Sequence, residues 1–158
     1  MLEQALRTYL LTVAPITALV ADRIHVGDQA FGTLDELPAI TLEAAHVVKL
    51  SGSEGGRLEQ LDGVAVGLQF PMYDIVCHGP LWETSIPLAA LVRRALQALS
   101  LGGTIAITVA GVAENVVIEQ VDLLAEWDEN EEHLGHGNTN KPRALRYRIG
   151  WRENVASL

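Results

Sequence analysis

The stretch from Met72 to Leu99 constrains the fold most strongly, because an alternating run passes directly into an amphipathic pattern. The alternation predicts a half-buried strand, in which successive side chains point to opposite faces. Its apolar face carries Tyr73, Ile75 and Cys77, and its opposite face carries Asp74 and His78. Gly79-Pro80 ends the strand, because proline cannot donate to a strand ladder and glycine permits a turn.

A helix is predicted after this turn, because small and apolar residues recur there at spacings of three and four. They are Ser85, Leu88, Ala89, Val92, Ala95, Leu96 and Leu99. Proline is tolerated in the first turn of a helix and elsewhere produces a kink. Pro87 therefore predicts either a helix that starts near Ser85 or one that is kinked. The Gly102-Gly103 pair predicts its end.

Similar patterns predict the other elements of the chain. Helices are expected over residues 2–13 and 16–21, and extended segments over residues 24–26, 39–49, 64–70, 104–109 and 115–128. Ser51–Gly56 lacks the Gly-Lys-Ser/Thr ending of a phosphate-binding loop, which favours a mobile hairpin tip. The length of 158 residues suits one domain. We expect an α+β fold over residues 1–158, with an antiparallel sheet and helices packed mainly on one face in two layers.

The last two strands are predicted to pair through opposite charges. On residues 115–128 one face is expected to carry Val117, Val121, Leu123, Ala125 and Trp127, with Glu119 as the exception, and the other Gln120, Asp122, Glu126 and Asp128. On the final strand Leu145, Tyr147, Ile149 and Trp151 alternate with Arg146, Arg148 and Arg152. Antiparallel pairing places acids opposite arginines, each pair contributing on the order of 0.2–1 kcal/mol. This favours a salt-bridged strand face over a nucleic-acid patch, because aromatic residues do not interleave with the arginines.

The connection from Asp128 to Pro142 is oversized for a hairpin. It has almost no apolar content, so we expect a long solvated loop that contacts a neighbouring molecule. His133 and His136 lie near three glutamates, and imidazole with carboxylate is a zinc-binding chemistry. Metal sites need rigid support, which flanking Gly, Asn and Thr do not supply. We therefore expect no metal, no cofactor and no catalytic residue.

Cys77 and His78 point to opposite faces of a strand and cannot form a nucleophile–base pair.

Composition excludes several classes of protein. The single cysteine excludes an internal disulfide and a multi-cysteine zinc site. The net charge of −9 argues against binding nucleic acid by phosphate neutralisation. The N-terminus lacks the order of a signal peptide, and no run of about 18 apolar residues occurs. We expect a protein that folds in a cytosol without contacting a membrane.

The order of elements resembles the tail-completion, or tail-terminator, family of long-tailed bacteriophages, prophages and gene transfer agents. The segments that carry the resemblance are Ile16–His25, Leu37–Leu42, Tyr73–His78, Leu88–Leu96, the acid-bearing strand and the closing Arg-Tyr-Arg-Ile strand. Together they span roughly residues 1–151. The chain departs from the family pattern at Arg57–Gln60 and in its long acidic loop.

The resemblance implies a structural virion protein and not an enzyme. Such proteins form a ring, usually sixfold, that ends tube polymerisation at the head-proximal end of the tail and gives the head a docking surface. The expected partners are further copies of the chain, the tail tube protein and a head-completion or connector protein. DNA passes through such a ring without specific recognition. The expected location is the neck or tail of a virion, after assembly in the cytoplasm of a host bacterium.

A ring requires one patch of each copy to meet a different patch of the next. The residues expected at this contact are Glu129, Glu131 and Glu132 on one copy and Arg146, Arg148 and Arg152 on its neighbour. Two alternatives stay open. One is another neck or head-completion protein, and the other is a small metal-dependent enzyme or ligand-binding module that uses His133 and His136.

Overall fold

The structure is a computed structural model that describes residues 1–27, 36–45, 69–133 and 139–153. Three helices are described: α1 (Leu2–Leu11), α2 (Ala14–Val20) and α3 (Trp82–Leu99). The strands of the first half are β1 (Ile24–Val26), β2 (Ala39–Ala44) and β3 (Met72–His78). Those of the second half are β4 (Gly103–Val109), β5 (Val112–Asp128), β6 (Glu132–His133), β7 (Thr139–Asn140) and β8 (Arg143–Glu153).

The main sheet has the order β1-β2-β3-β8-β5-β4. β1 and β2 run parallel, whereas the other neighbours are antiparallel, so the sheet is mixed. α1 contacts β1 and β4, the two edge strands, which shows that the sheet curls around the helical layer. The helices lie on one face of this curled sheet, and the predicted α+β class is confirmed. We call the opposite face of the sheet the outer face.

α3 confirms the predicted buried face residue by residue. Its buried side chains are Ser85, Leu88, Ala89, Val92, Ala95, Leu96 and Leu99. Of the two alternatives for Pro87, a start near Ser85 is wrong, because the helix begins at Trp82 and Pro87 lies inside it; a kink at Pro87 stays a prediction. The chain leaves the helix through Gly102, whose φ of +92° is open to glycine at little cost.

The core lies between the helices and the inner face of the sheet. The helices contribute large apolar side chains such as Leu6, Leu10 and Leu96, and β8 contributes Tyr147 and Ile149. The Tyr9 hydroxyl donates a 2.6 Å hydrogen bond to the carbonyl of Ala95, which ties α1 to α3.

β5 contains two bulges that change which residues face the helices. The register with β8 shifts between Ile118 and Gln120 and again between Leu123 and Ala125. Each extra residue reverses the alternation, because a bulge places two residues opposite one. Directly paired residues share a face, and the inner face therefore carries Val116, Ile118, Val121, Leu123 and Glu126.

The predicted faces of β5 are accordingly wrong at both ends. Val117, Ala125 and Trp127 lie on the outer face, opposite Arg152, Arg146 and Ala144. Glu126 and Asp128 lie on the helix face, opposite Leu145 and Arg143. The antiparallel pairing of β5 with β8 is confirmed, and so is the predicted opposition of acid and arginine, as Asp122 faces Arg148.

Two predicted boundaries also move. β5 begins at Val112 and not at Asn115, because Ala110 (φ 51°) and Gly111 (φ 82°) form a tight two-residue turn after β4. β2 confirms the predicted strand over Ala39–Ala44. The strand ends before residue 45, and residues 46–49 of that prediction, together with Ser51–Gly56, Arg57–Gln60 and the alternating run before Gln69, lie outside the described residues.

Candidate interaction site

The outer face carries the three arginines expected at a subunit contact, and each has an acidic partner within the chain. Arg146 binds both carboxylate oxygens of Asp74, at 2.7 and 2.8 Å. Its guanidinium also lies 5.3 Å from the ring centroid of Trp127, within the range of a cation–π contact. The hydrogen bond to Asp74 raises the pKa of Arg146, although burial opposes the rise. Arg146 is therefore bound by residues of its own chain.

The other two arginines form more exposed pairs. Arg148 lies 3.4 Å from Asp122, and Arg152 lies 2.7 Å from Glu119. All four side chains are between 35% and 48% exposed. Exposed pairs of this kind contribute little to stability, because solvent and salt screen them. Arg148 and Arg152 are consequently held more weakly than Arg146, whose side chain is 37% exposed but binds both carboxylate oxygens of Asp74.

The acidic residues that follow β5 fold back towards the same face. Glu129 is half-buried, and its backbone N–H donates to the carbonyl of Pro142 at 2.9 Å. Burial raises the pKa of Glu129, and the carboxylates of Asp74 and Glu132 raise it further, against a hydrogen bond with Trp127. Glu131 is exposed and lies 3.8 Å from Lys141. Carboxylates therefore crowd this corner of the molecule.

The long connection before β8 is not an unsupported loop, which corrects the prediction for residues 128–142. β6 and β7 pair within it, and Asn140 is fully buried against the end of β3. The Asn140 amide donates to His78 Nδ1 at 2.7 Å, and the backbone N–H of Lys141 donates to the Gly79 carbonyl at 2.8 Å. These bonds fasten the connection to the outer face of β3.

His78 is buried beneath this connection, although alternation placed it on the polar face of a half-buried strand. Its Nε2 lies 2.9 Å from the Thr41 hydroxyl, and only 1% of the residue is exposed. Since Nδ1 accepts from Asn140, the proton of the neutral ring lies on Nε2 and points to Thr41. Burial lowers the pKa of His78 to about 4, and the nearby His25 lowers it further.

The predicted separation of Cys77 and His78 is confirmed. Cys77 is buried in the core between sheet and helices, and His78 binds residues on the outer side. His133 is exposed and pairs with Thr139, while His136 lies outside the described residues. Within residues 1–27, 36–45, 69–133 and 139–153, no group of three or more metal-ligating side chains is present.

A cleft on the helix side of the sheet was not anticipated from the sequence. It has a volume of about 460 Å³ and lies between α3 and β5. Its floor is Val121, Leu123 and Tyr147, and its wall is Ala90, Arg93, Arg94, Gln97 and Ser100. Val121 and Leu123 lie on the face that alternation predicts to be apolar, but the pattern does not show that they lie beside α3.

Glu126 forms a charged network with Arg93, one of the residues that line this cleft. It accepts hydrogen bonds from Arg93 of α3 and, at 2.8 Å, from Arg143 of β8. Burial raises the pKa of Glu126, but the bonds from Arg143 and Arg93 outweigh it and hold the pKa below its usual value. Arg94, one residue along, is exposed, and no acidic side chain in the described part of the chain pairs with it.

None of the described helices is long and apolar enough to cross a membrane. Searches of the chain against protein-family models and against curated protein sequences find no match.

Proposed function

We propose that this protein is a tail-terminator ring subunit of a long-tailed phage or prophage. The observation that carries the proposal is the agreement between two independent features. The order of sequence segments resembles that family, and the chain has the α+β architecture, with helices on one face of the sheet, that the resemblance implies. Its role is to end polymerisation of the tail tube and to provide the joining surface for the head.

The surface of the molecule supports a role in assembly. Leu123 and Leu124 are 45% and 44% exposed on β5. Exposed apolar residues on a strand edge favour pairing with another chain, which monomeric proteins usually prevent. The net charge of −9 also suits a subunit of a DNA channel, because a negative lining repels the phosphate backbone.

Native mass spectrometry of the purified protein tests the first part of this proposal. We expect a closed ring, most simply a hexamer, or an oligomer that grows with protein concentration. Electron microscopy of tail tubes mixed with the protein tests the second part, with density expected at one end of each tube. A chain that stays monomeric at every concentration and ignores tube ends contradicts the proposal.

Another neck component is the nearest alternative, and the same experiment separates the two. A head-completion protein binds the portal or connector and leaves free tube ends uncapped. Adding the protein during tube polymerisation gives a quantitative readout, because a terminator shortens the tubes in proportion to its concentration. Genes for portal, major capsid and tail tube proteins beside this gene are a further expected outcome.

A further inference from the structure

Half of β5 has an uncovered edge in the described part of the structure. β4 pairs only with Val112–Ile118, so β5 continues beyond β4 for the whole of its second half, through Asp128. β8 pairs with that half on one side, and among the described residues no strand lies on the other. The backbone groups of such an edge are ready to bind another chain.

The cleft between α3 and β5 runs beside this edge and has a distinct chemistry. Its floor is apolar, and its wall presents Arg93, Arg94 and Gln97. Glu126 already neutralises Arg93, whereas Arg94 has no described acidic partner. The cleft therefore presents apolar surface with one uncompensated cation, which complements an acidic group carried on a partner.

Glu129, Glu131 and Glu132 form a corner, here called the acidic corner, that carries more negative than positive charge. Asp74 adds a fourth carboxylate beside Glu129, and the nearby described cations are Arg146 and Lys141. Arg146 is bound to Asp74, and Lys141 is 3.8 Å from Glu131. The corner thus retains excess negative charge, and burial, together with the carboxylates of Asp74 and Glu132, raises the pKa of Glu129.

We propose that the α3–β5 cleft of one copy binds the acidic corner of the next copy, with Arg94 facing Glu131. The cleft opens on the helix side of the sheet, whereas the corner lies against its outer face. The two patches are therefore different surfaces on opposite layers of one molecule, and their contact is heterologous. Repeated contacts of this kind close into a ring when the rotation between copies permits.

This inference rests on the proposed function for the existence of a ring and adds the surfaces that form it. It also replaces the contact expected from the sequence, in which Arg146, Arg148 and Arg152 met the acidic corner. Those arginines have partners within their own chain. Among the described residues Arg94 has no acidic partner, so only the 3.8 Å pair between Glu131 and Lys141 has to rearrange when Glu131 binds there.

Disulfide trapping between two single-cysteine variants tests the geometry. One population carries Gln97→Cys and the other carries Glu131→Cys, and Cys77 does not interfere because it is fully buried. We expect the mixture to form covalent dimers at least tenfold faster than either population alone. The control is Glu83→Cys mixed with Glu131→Cys, because residue 83 is exposed on the same helix but about 20 Å from residue 97. Trapping between two Gln97→Cys copies, or equal trapping at residue 83, overturns the proposal.

Charge exchange tests the energetics. We expect Arg94→Glu to raise the protein concentration needed for half-assembly at least tenfold. Arg148→Glu, which makes the same change of charge on the outer face, should raise it less than threefold. Combining Arg94→Glu with Glu131→Arg should restore assembly to within threefold of the original chain. Circular dichroism of each variant confirms that it is folded.

The outcomes separate this inference from the proposed function. If Arg94→Glu assembles normally while Arg148→Glu does not, the cleft is not the contact, but the ring stands. If the unchanged protein never assembles, both proposals fail together. If Arg94→Glu abolishes binding to duplex DNA and leaves assembly intact, the cleft binds nucleic acid and the inference is wrong.

Discussion

His78 is a histidine that the fold keeps neutral. Its ring lies between Thr41 and Asn140, which use both of its nitrogens, and burial lowers its pKa to about 4. In the unfolded chain this residue binds a proton near pH 6.5, whereas in the native protein it stays neutral down to a lower pH. The hydrogen bonds seen here require a ring with one proton, so they are complete only in the neutral form.

Stability is therefore expected to fall as the pH drops from about 6.5 towards 4, because the unfolded state binds more protons in that range. The stabilisation that depends on a neutral His78 is fully present above pH 6.5. By pH 4 the free energy of unfolding is lower by an amount on the order of 3 kcal/mol. Urea denaturation at several pH values measures this slope. His78→Gln should flatten it and His25→Gln should leave it nearly unchanged; equal slopes for the two variants contradict the assignment.

Glu126 is a largely buried acidic residue on the helix face of the sheet. Its side chain is 13% exposed and receives hydrogen bonds from Arg93 and Arg143. Glu126→Gln should lower the free energy of unfolding by about 1–3 kcal/mol, because two arginines lose a charged acceptor in a partly buried site. Glu119→Gln is the matched control, since its pair with Arg152 is 44% and 42% exposed.

Glu119→Gln, the control, should lower the free energy of unfolding by less than about 1 kcal/mol. Urea unfolding of both variants at neutral pH gives the comparison. Equal losses for the two would show that the network around Glu126 contributes no more than an ordinary surface pair.

At the level of elements, α3 and β5 show what a sequence pattern can and cannot predict. The buried face of α3 follows from spacing alone, because an unbroken helix keeps one period from end to end. β5 keeps no single period. Its two bulges, at Glu119 and Leu124, reset the alternation, and neither residue type marks a bulge. The faces of β5 were therefore predicted wrongly at both ends. Val121 and Leu123 lie on the apolar face that was predicted for them, and the cleft was missed because alternation does not show which helix a strand face lies beside.

Pro87 gives an element-level prediction. It lies inside α3, where it cannot donate the hydrogen bond of an ordinary residue to the preceding turn. It is also exposed, so replacing it disturbs little packing. Pro87→Ala should raise the free energy of unfolding by about 1–3 kcal/mol. Thermal or urea unfolding measures the gain.

The neighbouring exposed residue provides the control for this change. Ile86→Ala should alter the free energy of unfolding by less than about 0.5 kcal/mol. A loss of stability in Pro87→Ala would show that the proline shapes the start of α3 in a way that its packing partners require.

At the level of the whole molecule, the class of fold was predictable and the strand order was not. Alternation along β4 and β8 identifies strands and their buried faces, but it does not say which strands are neighbours. Charge complementarity predicted one pairing, β5 with β8, because both strands are long and carry opposite signs. The parallel pairing of β1 with β2 depends on three residues and carries no such signal. The burial of His78 depends likewise on Asn140, which is 62 positions away.

The proposed assembly should weaken as salt is added, because its contact joins the acidic corner to Arg94, which has no acidic partner among the described residues. The screening length falls from about 10 Å at 0.1 M salt to about 3 Å at 1 M. Light scattering or sedimentation should show the half-assembly concentration rising about tenfold over this range. Arg94→Glu should respond less, since it lacks the cation. Assembly that strengthens with salt would indicate an apolar contact instead.

Cys77 can report how often the centre of the sheet opens. It is the only cysteine of the chain, none of its surface is exposed, and its burial raises the pKa of the thiol. Alkylating reagents attack the thiolate, so they can react only when β3 separates from the strands and helices that enclose it. The rate of alkylation, followed by mass gain under native conditions, thus reports how often the centre of the sheet opens. Comparing that rate for free and assembled protein would show whether neighbouring subunits hold the sheet closed.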